Sequence, residues 1–192
     1  MPFGANIPIT ALNLGFIGEP SRSGDYKIAS RPVLPTTTNP IGFGSPVVIV
    51  PTSGGGDSYQ SVADFIAGGG TMTAALFAGV AVRNVKTNLS YTSLEAVNTP
   101  GVIGTYLQGQ LAEALESGSV KVYLQNQVVA PSSQGTVYLR TATNGTYPSA
   151  VVGGFESSAT TGCIALTGVV FRTGYVDSNG VVEITLLNRV AA

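Results

Sequence analysis

The side chains able to carry chemistry are few. Histidine is absent and Cys163 is the only cysteine. Their scarcity excludes Ser-His-Asp triads, Cys–His dyads, His/Cys zinc cages and an intramolecular disulfide. Cys163 lies in the apolar stretch Gly162-Cys163-Ile164-Ala165-Leu166, where it reads as a small buried hydrophobe with no histidine to activate it. Ten carboxylates remain. Glu113 and Glu116 would share a face on a helix and point opposite ways on a strand. A glycosidase needs two facing carboxylates, and the absence of tryptophan leaves little platform for a sugar ring. No serine has a lysine three residues on. The loop Ser53-Gly54-Gly55-Gly56-Asp57-Ser58 places an Asp where a phosphate cradle needs Lys-Ser/Thr. The sequence therefore offers no catalytic, cofactor-binding or metal-ligating set.

Charge points the same way. Nine basic residues stand against ten acidic ones, for a net charge of −1, which is no nucleic-acid footprint. Without histidine no switch near neutral pH is expected. Only 10% of residues are charged and 44% are apolar, whereas an ordinary soluble domain has roughly 25% charged. A free monomer keeps itself soluble with charged surface, so this chain reads as one whose surface is largely covered by partners. Its longest apolar run, Ala74 to Val82, is too short for a membrane span of ~20 residues. The first basic residue is Arg22, so a secretory n-region is missing. The expectation is a protein made and kept in a cytoplasm, with no membrane partner.

The elements that must position any site divide the chain in two. Eight of the 11 prolines fall at or before Pro51. Each removes a backbone donor and disfavours helix before it. Residues 1–45 are expected to form an extended arm, and Phe3, Ile7, Leu12, Phe16, Arg22 and Arg31 are its candidate contacts to a partner. An irregular wrap over its own core is the competing reading. Residues 46–192 are expected to form a β-rich body. Val47 to Val50 is a strand signal, and a Gly-rich insertion covers about 51–71, within which Ser58–Ala67 is either a helical turn or an irregular excursion. Thr73–Val85 reads as a strand bent at Gly79. Residues 105–125 are ambiguous. Leu107, Leu111 and Leu115 recur at helical spacing behind a capping-box pattern at Thr105, yet Val120 to Leu124 alternates as a strand, and strand is preferred for 111–116 too. Thr136–Ala142 ends at the hairpin signal Asn144-Gly145. Ala150–Phe155, Cys163–Arg172, Tyr175-Val176 and Val181–Val190 follow as strands. Short strands at this spacing with turn signals give an all-β fold, a jelly-roll or barrel-like sandwich.

Two stretches carry a family likeness. The first runs from Phe43-Gly44-Ser45-Pro46-Val47-Val48 to Phe77-Ala78-Gly79-Val80-Ala81-Val82-Arg83. The second runs from Val137-Tyr138-Leu139-Arg140 through Asn144-Gly145-Thr146-Tyr147-Pro148 and Val152-Gly153-Gly154-Phe155-Glu156 to Gly174-Tyr175-Val176-Asp177 and Val182-Glu183-Ile184-Thr185-Leu186. In order and spacing they resemble the structural cement (capsid decoration) proteins of tailed bacteriophages. The resemblance covers about residues 40–192 and implies a β-rich body on the exterior of the capsid shell, bridging neighbouring capsomers. It implies the major capsid protein as partner and no catalytic residues; copies of the chain itself are expected as further partners, closed rings and two-folds both being open and the trimer preferred to the dimer, with assembly in the host cytoplasm. The insertion between Val50 and Thr71 departs from the family pattern and is expected to face outward or toward a sister subunit.

The physics of that role agrees. An extended arm reaches up to ~3.3 Å per residue, and many tethered contacts give avidity. Deleting residues 1–30 is expected to abolish shell binding and leave the body folded. A phage tail, baseplate or fibre subunit is the alternative reading. A jelly-roll carbohydrate-binding module is a further one, which the absence of tryptophan disfavours.

Overall fold

The computed structural model describes residues 14–21, 26–36, 38–52, 54–83, 104–126 and 129–187. In chain order its strands are β1 (Lys27–Pro32), β2 (Ile41–Gly42), β3 (Pro46–Pro51), β4 (Asp57–Ser61), β5 (Phe77–Ala81), β6 (Thr105–Tyr106), β7 (Leu111–Tyr123), β8 (Thr136–Arg140), β9 (Phe155–Glu156), β10 (Cys163–Phe171) and β11 (Val181–Leu186). One short helix, α1 (Val62–Ala67), follows β4. Among the described residues, nine strands form one antiparallel sheet in the order β4-β3-β5-β7-β11-β10-β8-β9, with β1 also paired to β7. β2 and β6 pair separately. Both ends of the sheet curl back: Leu124 bridges Phe155 of β9, and Val33 bridges Tyr59 of β4. The expected all-β, barrel-like body is present.

β7 organises the sheet and resolves the ambiguous stretch in favour of a strand. The helical reading needs Leu111 on a core face, but Leu111 is 59% exposed. Tertiary pairing overrides local helix propensity here: β1 and β5 flank the first half of β7, and β11 flanks the second. Lys27 pairs with Ser117 and Ile28 with Leu115, which leaves Glu116 as a bulged residue. A bulge adds one residue and shifts the side-chain alternation by one. Accordingly Leu115 faces the larger core before the bulge, whereas Val120 and Val122 face it afterwards. Ala112 and Ala114 face a second core, with Val33, Ile41, Val47, Tyr59 and Tyr106. Gly79 of β5 lies against this bend, where an added Cβ would sit 2.3 Å from the Leu115 carbonyl oxygen.

Several boundaries differ from the sequence reading. Residues 27–45, expected in the arm, contribute β1, β2 and the buried Val33 and Ile41 to the body. Proline did not prevent this because it sits where strands tolerate it: Pro32 ends β1, and Pro46 and Pro51 bracket β3. Within the stretch 51–71 the helical alternative holds for Val62–Ala67, and a strand precedes it. These are α1 and β4, with Val62 and Tyr59 buried. Ser61 caps α1 by accepting from the Asp64 N–H at 3.2 Å. Asn144-Gly145 makes a local turn, its Asn side chain accepting from the Thr146 N–H at 2.9 Å. It does not close a two-residue hairpin, since β8 pairs with β9 and β10. Of the expected Ala150–Phe155 strand only Phe155 is strand, as the first residue of β9, and Tyr175-Val176 is not strand.

Candidate docking surface

Of the six candidate contacts, Phe3, Ile7, Leu12 and Arg22 lie outside the described residues. Phe16 is 65% exposed, with the Arg83 guanidinium 4.3 Å from its ring centroid. Arg31 turns inward. It donates to the Tyr59 hydroxyl at 2.7 Å and to Glu116 at 3.1 Å, stacks over the Tyr59 ring, and is joined on Glu116 by Lys27 at 2.8 Å. Of the two described candidates, Phe16 therefore stands at the surface and Arg31 is engaged within the body. The bulge buries the Glu116 carboxylate, and two cations from β1 compensate it there.

Residues 14–21 are fastened along the second half of β7. The Gly18 N–H donates to the Lys121 carbonyl at 2.8 Å, the Lys121 N–H to Glu19 at 3.1 Å, and the Ser21 N–H to Ser119 at 3.0 Å. Side chains lock the same path: Lys121 pairs with Glu19 at 2.9 Å, and the Ser21 hydroxyl donates to Glu183 at 2.7 Å. The Lys121 hydrogen bond outweighs desolvation and holds the Glu19 carboxyl below its ordinary range. Glycine has a specific use at Gly44, whose φ is 74°. A Cβ there would lie 2.1 Å from Cγ2 of Ile17, so the bare backbone lets the arm seat against the Phe43–Ser45 turn.

Ile17 also lines a groove of about 470 Å³ with Phe43, Pro46, Tyr123, Val151 and Phe155. Tyr123 and Val151 are 53% and 64% exposed there. Isolated exposed apolar residues are normal, but a contiguous set marks an interaction surface.

The chemistry-bearing groups of the body serve structure. Arg140 and Glu156 form an ion pair in which both side chains are fully buried. Thr160 and Asn126 also donate to Glu156, while Arg140 further donates to the carbonyls of Ala142 and Thr161. Burial alone would raise the Glu156 carboxyl, but these donors hold it below its ordinary value. Arg140 is the important residue that sequence reasoning missed, since nothing in its local pattern marks a charge for burial. The half-buried Cys163 lies 3.3 Å from the Thr160 hydroxyl, and burial pushes its thiol up, the opposite of an activated nucleophile. Asp64 is likewise buried. It accepts from Thr38 and from the backbone and side chain of Asn39, tying that loop to α1. Among the described residues no group of three His, Cys, Asp or Glu is placed to hold a metal.

Comparison with known proteins completes the description. The family model described as "Structural cement protein (E217 gp24/Pam3 gp6)" matches residues 5–187. No curated protein sequence matches the chain. A chain from a solved structure titled "The capsid of Myoviridae Phage XM1" superposes with a TM-score of 0.59 at 19% identity, covering 98% of this chain and 99% of that one. At that identity the likeness speaks to the fold.

Proposed function

The chain belongs to the phage structural cement protein family, and from that premise we propose that it binds the outer face of the capsid shell and bridges neighbouring capsomers. Its role is that of a virion structural protein, a capsid decoration or cement protein. The carrying observation is the family match over residues 5–187. It sets the tail-subunit and carbohydrate-module readings aside.

The finer reading is supported by the surface. Only 10% of residues are charged, while Phe16, Leu111, Tyr123, Val151 and Leu187 each stand more than half exposed. Such side chains gain roughly 25 cal/mol per Å² when covered, and a specific interface buries about 1,600 Å² in total. Interfaces of this kind strengthen a shell without any reaction, so the protein acts non-enzymatically. The arm preceding β1, with Phe3, Ile7, Leu12, Phe16 and Arg22, reaches the shell or a neighbouring copy, and Arg31 holds β1 in place behind it. Closed symmetry favours a small closed oligomer, and of these we take the trimer ahead of the dimer. The major capsid protein is the partner, and assembly takes place in the host cytoplasm.

The test uses genome-filled heads that lack this protein. Purified protein added from outside is expected to co-sediment with them at a fixed stoichiometry. Protein that stays at the top of the gradient would refute an exterior site.

A further inference from the structure

The described part of the arm begins near the groove described above. Leu14 is the first described residue, and its N–H donates to Asp177 Oδ2 at 3.1 Å. Asp177 opens the turn into β11, whose first residue, Val181, pairs with Tyr123. Tyr123 lines the groove, as does Ile17. Residues 1–13 thus continue from a point anchored beside it, and that length reaches up to about 43 Å.

The groove and the segment match in chemistry. The N–H groups of Ala150, Gly153 and Gly154 are already bonded to carbonyls, and that of Val151 to the Gln125 side chain. An occupant is therefore not gripped there through these donors, as an added strand would be, and the side chains of Ile17, Phe43, Tyr123 and Val151 offer it apolar contact instead. Residues 1–13 carry Phe3, Ile7, Ile9 and Leu12, and Pro2 and Pro8 forgo two backbone donors. The tether also favours the same chain over another. A short flexible connection gives an effective concentration in the millimolar range, above that of free second copies in a dilute solution.

We propose that in the free protein residues 1–13 occupy the Phe43–Tyr123–Val151 groove of their own chain. On the cement reading, the shell or a neighbouring copy then displaces the segment as it binds.

Photo-crosslinking tests this on the full chain without heads, so its outcome is independent of the co-sedimentation test. Benzoylphenylalanine is placed at position 151, and separately at 123, in a mixture of isotope-labelled and unlabelled chains. Crosslinks are expected to map to residues 1–13 of the same chain. Free peptide of residues 1–13 is expected to lower their yield only at roughly millimolar concentration. Crosslinks chiefly between chains, or none to residues 1–13, would overturn the proposal.

Discussion

Arg140 shows what a single residue does in this body. It follows Val137 and Leu139, which face the core of β8, so alternation sends its side chain to the other side of the sheet. It is nonetheless fully buried, because the segment after β8 folds over it and supplies Glu156, Thr160 and the carbonyls of Ala142 and Thr161. Removing one partner of such a pair strands the other charge in low dielectric. Arg140→Ala is expected to lower unfolding free energy by ~3–5 kcal/mol in denaturant titrations. The pair also predicts a pH dependence. The folded Glu156 carboxyl sits below its ordinary value of 4.5, so the unfolded chain takes up a proton first as pH falls. The stabilisation is complete above about pH 4.5 and disappears as pH drops through the depressed folded value. Unfolding midpoints of the wild type should fall across that acid window, and those of Glu156→Gln should be flatter there. None of this was legible in the sequence, since neither partner's burial follows from local pattern.

Strands were the more legible scale. The strands β3, β8, β10 and β11 were located to within a few residues, β3 by its apolar β-branched run and β8 and β11 by alternating residue types. β7 was harder, since its bulge at Glu116 breaks the very alternation that identifies a strand. β1 was hidden by Pro32, and Ser58–Ala67 by its glycine-rich surroundings, although Ser61 with Asp64 three residues later is a readable cap. The bend between β5 and β7 gives a sharp test. Gly79→Ala brings a Cβ against backbone at Leu115, which cannot swing aside, and is expected to cost roughly 1–3 kcal/mol or more in thermal or chemical unfolding. Truncation at Ser30 would remove most of β1 and the Lys27 partner of the buried Glu116, so it should destabilise the body, contrary to what the sequence led one to expect. Truncation after Asn13 leaves every described pairing except that of the Leu14 N–H undisturbed, so its melting point should fall only by what the proposed groove contact contributes, less than on truncation at Ser30.

At the scale of the whole molecule, family membership and composition meet. A body with little charge, a curled sheet and an anchored N-terminal arm is suited to be clamped between subunits. The proposed shell contacts were only partly legible: the sequence offers the arm's apolar side chains as candidates, but which of them would meet a shell depends on a surface outside this chain. The chain lacking residues 1–13 should bind heads more weakly while remaining folded, as read by co-sedimentation beside circular dichroism. The central claim is that the protein cements. It is tested most directly by heating genome-filled heads with and without a saturating amount of the protein and following DNA release with an intercalating dye. Release is expected to shift to higher temperature in proportion to occupancy, up to saturation. Heads that bind the protein fully yet release DNA at the temperature of bare heads would contradict it.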